Sequence, residues 1–134
     1  MTAAIRLTRE ETLMEIARTM SMRSTCTRAH VGAVIAKEGR IISTGYNGTP
    51  PGMAHCKHFV DDGPCTQAIH AETNAIIFAG RYGVSCVGAD LYVTVSPCLN
   101  CANLIIAAGI KSVIWDSEHR DLDGLVLLRA VGIV

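Results

Sequence analysis

Cysteine, histidine and glutamate residues stand at spacings that could build a catalytic metal site. Cys98 and Cys101 form a C-x-x-C pair directly after Pro97, and cysteines three residues apart share one face of a helix. The positive potential of a helix N-terminus favours thiolates, and two thiolates are half of a tetrahedral zinc site. A C-x-x-C pair can also act as a redox dithiol, but that function would leave His70 and Glu72 without a role.

His70 and Glu72 offer the remaining groups of a hydrolytic zinc site. An imidazole nitrogen of His70 can be a third ligand, which leaves one tetrahedral position open for water. The Glu72 carboxylate can act as a general acid and base. Side chains at i and i+2 point about 200° apart in a regular helix. We therefore expect His70 at the first turn of its helix, and two helix N-termini, near His70 and Cys98, that converge on one ion.

The elements that must position these residues follow an α/β order. Thr8 and Glu11 form a capping box before the apolar face of a first helix. Two β-branched runs, Val31 to Ala36 and Ile41 to Tyr46, predict a hairpin. The later predicted elements are a helix from Gln67 to Ala79 with Gly80 after it, a strand from Ala89 to Val95, a helix capped by Ser96 with Pro97 first and Gly109 last, a strand from Lys111 to Trp115, and a helix from Asp121 to Ala130. This order predicts one domain over residues 1–134, a mixed sheet with helices on both faces.

Composition narrows the class of partner. Twelve basic and twelve acidic residues leave no net charge, and one tryptophan, three tyrosines and two phenylalanines make a poor base-stacking surface. Neither feature suits binding to long nucleic acids. The sequence has neither the apolar run of a membrane span nor a signal peptide, so we expect a cytoplasmic protein that binds no membrane. Six cysteines then favour metal ligands or core thiols over disulfides.

The pairing of H-x-E with P-C-x-x-C resembles the zinc nucleobase deaminases. More narrowly, the chain resembles the deoxycytidylate (dCMP) deaminase family. The stretches that carry this resemblance are Cys26 with Val31 to Ile35, Gly45 to Gly52 (GYNGTPPG), His55-Cys56, His70 to Ala75 (HAETNA) and Tyr92 to Cys101. It implies a cytidine deaminase-like three-layer α/β/α sandwich around a mixed five-stranded sheet. It also implies hydrolysis of dCMP to dUMP with release of ammonia, a reaction that supplies dTMP synthesis.

The resemblance assigns a role to individual residues. His70, Cys98 and Cys101 would hold a catalytic Zn²⁺, and Glu72 would carry a proton from water to N3 of the base and then to the departing amino group. The Ala71 N–H would bind the base O2, the Ser96 carbonyl would face the amino group, and Asn47 would bind the sugar hydroxyl. An Asn47-Gly48 pair also suits a tight turn. We expect Arg28 to bind the phosphate, ahead of three alternatives: Arg120, Arg23 and His119.

Two further sites follow from the same resemblance. Cys26, Cys56 and Cys65 would hold a second, structural zinc, and the alternative is a set of free thiols in a loop. Gly45, Tyr46 and Arg81 resemble parts of a regulatory site that takes dCTP with Mg²⁺ as activator and dTTP as inhibitor. Relatives also form homo-oligomers, with a hexamer favoured and a dimer as the alternative. Cys86, alone before a strand, is expected in the core.

Two loops and two rival functions complete the expectations. The irregular segment from Asn47 to Thr66 should close over the base and sugar, because a loop of this length in a small domain usually binds something. After the Lys111 strand, this chain has Asp116 to Arg120 where relatives often carry a tyrosine.

The rival functions are a tRNA adenosine deaminase, or another nucleobase or nucleoside deaminase, and a non-catalytic zinc module. A missing basic face opposes the tRNA enzyme, and an open metal position opposes the module.

Overall fold

The computed structural model describes residues 4–57 and 65–134 of the chain. These residues include four helices and four strands. The remainder of the expected substrate loop, which includes His58, lies outside the described residues. The elements in chain order are α1 (Arg9–Ser21), β1 (Gly32–Lys37), β2 (Arg40–Tyr46), α2 (Ala71–Arg81), β3 (Asp90–Val95), α3 (Leu99–Ala107), β4 (Ser112–Ser117) and α4 (Asp123–Ala130). None of these helices is long and apolar enough to cross a membrane.

The sheet is mixed, as the sequence predicts. Its strand order is β2-β1-β3-β4, with β1 antiparallel to both of its neighbours and β3 parallel to β4. Glu38 and Gly39 connect the hairpin with φ values of 54° and 77°, which match the twist that two-residue hairpin turns require. The parallel β3–β4 pair needs a crossover, and α3 provides it.

Helices cover both faces of this sheet. Val34 and Ala36 of β1 pack with Leu13, Met14 and Ala17 of α1 on one face. The alternate residues of the same strand contribute to the larger core on the opposite face, because successive side chains of a strand point to opposite sides. That core contains buried residues of the other three helices: Ala71, Ala75 and Ala79 of α2, Ala102 and Ile105 of α3, and Leu125 and Leu128 of α4.

The expected fifth strand is wrong for the described residues, where the sheet has four. The segment after α4 instead closes that helix. Gly132 has a φ of 78°, its N–H donates to the Arg129 carbonyl, and the Ile133 N–H donates to the Leu128 carbonyl at 3.0 Å. These bonds turn residues 131–134 back on α4, so their backbone is not extended beside β4.

The predicted start of α2 at Gln67 is also wrong, because the helix begins at Ala71. Ile69 exchanges two backbone hydrogen bonds with Gly48, at 2.8 and 3.2 Å, and this pairing keeps the preceding segment out of a helix. The helix also runs through Gly80 to Arg81, and the glycine that follows its C-cap is Gly83, with a φ of 72°.

Two other helices begin later in the chain than the sequence predicts. α3 begins at Leu99, so Ser96 and Pro97 are not its cap and first residue. Ser96 instead donates its N–H to the Ser117 carbonyl at 2.8 Å, which carries the strand pairing past the end of β3. α4 begins at Asp123, because Asp121 turns the chain by accepting the Asp123 N–H at 3.0 Å. The capping box on α1 is confirmed, with Thr8 Oγ1 accepting the Glu11 N–H at 3.1 Å.

Candidate active site

The N-termini of α2 and α3 meet beside the sheet. His70 is the N-cap of α2 and Cys98 is the N-cap of α3, both with extended backbone. Because His70 precedes the helix, the regular separation of side chains at i and i+2 does not apply to it. Gly45 of β2 allows α2 to approach, since a Cβ there would lie 2.3 Å from the Ala71 carbonyl oxygen. The expectation of two converging helix N-termini is confirmed.

Three potential metal ligands lie together at this junction. His70 Nδ1 is 3.5 Å from Cys98 Sγ and 3.3 Å from Cys101 Sγ, and the three atoms lie within 4.8 Å of one another. Tetrahedral zinc with ordinary Zn–N and Zn–S bonds places nitrogen and sulfur ligands about 3.5 Å apart. One imidazole and two thiols at these separations fit Zn²⁺ and leave its fourth position open.

The two sulfur atoms differ in acidity. The pKa of Cys98 is lowered to about 3, because its sulfur accepts hydrogen bonds from the Cys101 thiol and from His70. The pKa of Cys101 is raised, because it lies beside the Cys98 sulfur and is buried. Cysteine binds a metal as the thiolate, so a divalent cation that binds both sulfur atoms releases any thiol proton that remains on them.

Glu72 lies in the same junction with only 4% of its surface exposed. Its Oε1 is 3.8 Å from His70 Nδ1. Burial raises the pKa of this carboxyl above its ordinary value, because the charged form loses hydration. A carboxyl with a raised pKa, placed beside an open metal position, is suited to take up and return a proton.

A cavity of about 500 Å³ opens in front of these groups, a volume that suits a small ligand. Most of the residues that the sequence nominates for the site line it: Asn47, His70, Ala71, Glu72, Ser96, Cys98, Arg28, His119 and Arg120. Of the four candidates for phosphate binding, Arg23 is the exception. It lies over the Tyr46 ring, 5.9 Å from its centre, and does not line this cavity.

Asn47 braces one wall of the cavity. Its Oδ1 accepts the Val31 N–H and its Nδ2 donates to the Ala29 carbonyl, both at 2.8 Å. These bonds join the segment that follows Arg28 to the residue directly after β2. The tight-turn alternative is wrong, because neither Asn47 nor Gly48 has a positive φ. The sequence offered no signal for this brace, since its partners are backbone groups far along the chain.

Ser96 connects the end of β3 to the loop after β4. Its Oγ accepts the His119 N–H at 2.8 Å, and its side chain is buried. This bond brings His119 and Arg120 to the cavity, where the sequence placed a departure from the usual tyrosine. His119 Nδ1 in turn accepts the Asp121 N–H at 3.0 Å.

A second group of sulfur atoms lies near the first. Cys26, Cys56 and Cys65 have their Sγ atoms within 4.8 Å of one another, and Cys26 and Cys65 line the cavity of the His70 site. Burial and the neighbouring sulfur atoms raise the pKa of Cys56 to about 11. All six cysteines are described and none forms a disulfide, as expected, and Cys86 is buried in the core.

Two of the three residues compared with a regulatory site, Gly45 and Tyr46, border a separate cavity of about 360 Å³. Asn74, Phe78 and the segment from Gly48 to Met53 also line it. Arg81 does not line this cavity, but it lies over the ring of Phe78, 5.7 Å from its centre. None of the three lines the cavity that contains His70 and Cys98.

Comparison with known proteins identifies a family for this arrangement. The family model for the cytidine and deoxycytidylate deaminase zinc-binding region matches residues 7–117. The deoxycytidylate deaminase of Mycobacterium phage D29 is 37% identical over 123 residues, which cover 81% of this chain and 94% of that protein. ComE operon protein 2 of Bacillus subtilis (strain 168) is 43% identical over 105 residues, covering 75% of this chain and 55% of that protein.

A solved structure extends the comparison to the whole fold. The crystal structure of the dCMP deaminase from cyanophage S-TIM5, in complex with dCMP and dUMP, matches with a TM-score of 0.89 and 34% identity. The match covers 97% of this chain and 96% of the cyanophage chain.

Proposed function

The chain belongs to the cytidine and deoxycytidylate deaminase family, and from this premise we propose that it hydrolyses dCMP to dUMP and ammonia. The observation that carries the proposal is the closeness of the potential ligand atoms of His70, Cys98 and Cys101, which lie within 4.8 Å of one another, together with the buried Glu72 side chain. The likeness to relatives that bear this activity by name supports the choice of dCMP.

The residues of the site divide the chemistry between them. His70, Cys98 and Cys101 would hold a zinc ion, which supplies Lewis-acid activation of water. Glu72 takes a proton from that water and delivers it to N3 of the base while oxygen bonds to C4. Glu72 would then take the remaining proton from the new hydroxyl group on C4 and pass it to the amino group. As the C4–N bond breaks, ammonia leaves and C4 becomes a carbonyl carbon. One water is consumed, and the base becomes uracil.

Backbone and side-chain donors around the cavity would orient the base and sugar. The Ala71 N–H belongs to the first turn of α2, where backbone donors have no partner within the helix, and it can bind the base O2. The Ser96 carbonyl would face the amino group. Asn47 keeps one N–H and one acceptor lone pair beyond its two backbone bonds, and these suffice for a sugar hydroxyl.

The phosphate would lie at the rim with Arg28. This arginine follows Cys26 by two residues, and the Asn47 brace holds its segment at the cavity wall. A guanidinium there can make charge-assisted hydrogen bonds to phosphate oxygens. Arg120 and His119 also line this cavity and are the second choices.

A second zinc would bind to Cys26, Cys56 and Cys65. Support comes from the closeness of their sulfur atoms and from the chemistry of thiols, which suits structural zinc. Its purpose would be structural, since it would join the segment before β1 to the middle and the end of the long loop that follows β2.

The remaining proposals concern regulation and assembly. The cavity beside Gly45, Tyr46 and Arg81 would take dCTP with Mg²⁺ as activator and dTTP as inhibitor.

The chain would form a homo-oligomer in the cytoplasm, with a hexamer as the first choice and a dimer as the alternative. Exposed apolar side chains at and after the end of α2, namely Ile77, Tyr82, Val84 and Val87, support a surface for a second copy.

Ammonia release from dCMP, CMP, dCTP and deoxycytidine, assayed in parallel with a tRNA anticodon stem-loop, tests the proposal. We expect turnover of dCMP to exceed that of each alternative, and Glu72→Gln to serve as the inactive control. Equal rates on dCMP and deoxycytidine would reject a nucleotide substrate. Deamination of adenosine in the stem-loop, without activity on dCMP, would favour the tRNA enzyme instead.

A further inference from the structure

One hydroxyl group reaches the metal ligands from the neighbouring helix. Thr73 Oγ1 lies 3.4 Å from Cys101 Sγ. Thr73 is the third residue of α2 and Cys101 is the third residue of α3, so they occupy equivalent positions in the two helices whose N-caps are His70 and Cys98. The two helix N-termini therefore contact each other through two pairs of residues: the N-caps His70 and Cys98, and the third residues Thr73 and Cys101.

The orientation of Thr73 differs from that of other helical threonines in the protein. The hydroxyls of Thr12 and Thr19 in α1 donate to the carbonyl four residues earlier, at 2.9 and 3.1 Å. For Thr73 that carbonyl belongs to Ile69, which already accepts the Gly48 N–H at 3.2 Å and lies 3.5 Å from Asn74 Nδ2. The Thr73 hydroxyl is directed at sulfur instead.

The chemistry of a metal site sets the direction of this bond. A thiolate that binds a metal has no proton to give, so Cys101 Sγ can only accept and the Thr73 hydroxyl must donate. Cys101 is only 2% exposed, and a charged sulfur so far from water needs donors from the protein. A single donor on the neighbouring helix also restricts where the sulfur points.

We propose that Thr73 is a positioning residue for the metal site, its hydroxyl donating a hydrogen bond to the Cys101 thiolate. The proposal rests on the zinc site assigned to His70, Cys98 and Cys101 under the proposed function. Loss of a residue that makes a hydrogen bond to a metal ligand typically lowers metal affinity by about 10- to 100-fold.

Zinc affinity of the full chain, measured by competition with a chromophoric chelator, tests this directly. Thr73→Val keeps the shape of the side chain and removes the hydroxyl, and we expect its affinity at the His70 site to fall by about 10- to 100-fold. Thr73→Ser keeps the hydroxyl and should stay close to wild type. Thr12→Val is the matched control, because it removes a threonine hydroxyl from the first turns of a different helix. Cobalt loading gives a second readout, since the thiolate-to-metal absorption band should shift in Thr73→Val alone.

The variants also separate this inference from its premise. Wild-type affinity in Thr73→Val would overturn the role of the hydroxyl, and an equal loss in Thr73→Ser would assign the effect to the methyl group. If Thr73→Val does not fold without metal, Thr73→Ala replaces it, because alanine lacks the hydroxyl and favours helices. Failure of wild type to bind zinc through His70, Cys98 and Cys101 would reject the proposed function itself, whatever the Thr73 variants do.

Discussion

Two groups of potential metal ligands border one cavity and differ in the structural elements that position them. The first, His70 with Cys98 and Cys101, lies at the N-termini of two packed helices, with the Glu72 carboxyl buried beside it. The second, which we term the cysteine cluster, consists of Cys26, Cys56 and Cys65, all outside the helices and strands. Zinc bound to the first group would have a fourth position open beside the buried Glu72 side chain, whereas the cysteine cluster has neither a histidine nor a buried carboxylate among its three members.

The difference teaches how similar ligands can serve different purposes. Helix N-termini fix the positions of the first group and supply positive potential. The arrangement of the three ligands should therefore stay the same through successive catalytic cycles. The cysteine cluster joins three segments that are far apart in sequence, and metal binding there would restrict the loop beside the cavity. The first group should therefore control the chemical step, and the cysteine cluster should control stability.

Loss of a ligand from the first group should have the largest effect. Cys98→Ala leaves two ligands, which do not hold zinc at a three-residue site, so deamination should become undetectable. Metal analysis should show that the zinc content falls from two per chain to one, the remaining ion lying at the cysteine cluster. Cys86→Ala, which removes a buried thiol remote from both groups, is the control and should keep both ions. A full zinc content in Cys98→Ala would contradict the ligand set.

Removal of the proton carrier should have the next largest effect. Glu72→Gln keeps the size of the side chain but can neither take nor return a proton, so kcat should fall by at least about 10²–10⁴-fold. Zinc content and melting temperature should stay close to wild type, which separates this variant from Cys98→Ala. Turnover near that of wild type would reject Glu72 as the general acid and base.

Removal of the cation proposed to bind phosphate should have an intermediate, selective effect. Arg28 lines the cavity, and its backbone N–H points at Cys26 Sγ at 3.5 Å. A charge-assisted hydrogen bond to phosphate contributes about 1.5–3 kcal/mol, so Arg28→Ala should lower kcat/KM for dCMP by about 10- to 100-fold. Deoxycytidine, which has no phosphate, should be affected much less.

Arg23→Ala is the matched control for this experiment, since Arg23 stacks on Tyr46 away from the cavity. Steady-state kinetics of Arg28→Ala, Arg120→Ala and Arg23→Ala on both substrates would assign the cation. Equal losses on dCMP and deoxycytidine in Arg28→Ala would mean that the residue supports the cavity wall and does not bind phosphate.

Loss of a ligand from the cysteine cluster should have the smallest effect on chemistry. Cys56→Ser should reduce the zinc content from two ions per chain to one and lower the melting temperature, while kcat at low temperature stays within a few-fold of wild type. Cys86→Ser, at a buried cysteine outside both groups, controls for the change of sulfur to oxygen. One zinc per chain in fully active wild type would remove the second site and leave three free thiols.

Much of the fold and most of the cavity could be predicted because their signals are local. The Thr8 capping box, the hairpin around Glu38 and the alternation of helices and strands each depend on neighbours within a few residues. The Cys98-x-x-Cys101 spacing and the His70-x-Glu72 spacing likewise determine which groups can share a helix start. Residue types at these spacings were enough to predict a ligand set and an acid–base group and to show the family resemblance.

The tertiary structure decided what depends on pairing between distant segments. Ile69 pairs with Gly48 and so delays α2 until Ala71, which makes His70 an N-cap. The side-chain amide of Asn47 makes two hydrogen bonds to the segment before β1. The Ser96 hydroxyl accepts a hydrogen bond from His119 and does not cap α3. Thr73 turns to Cys101 because its usual acceptor is taken. Each of these groups can satisfy its hydrogen bonds locally, as helical threonines and capping serines do, so only the packed fold selects the distant partner.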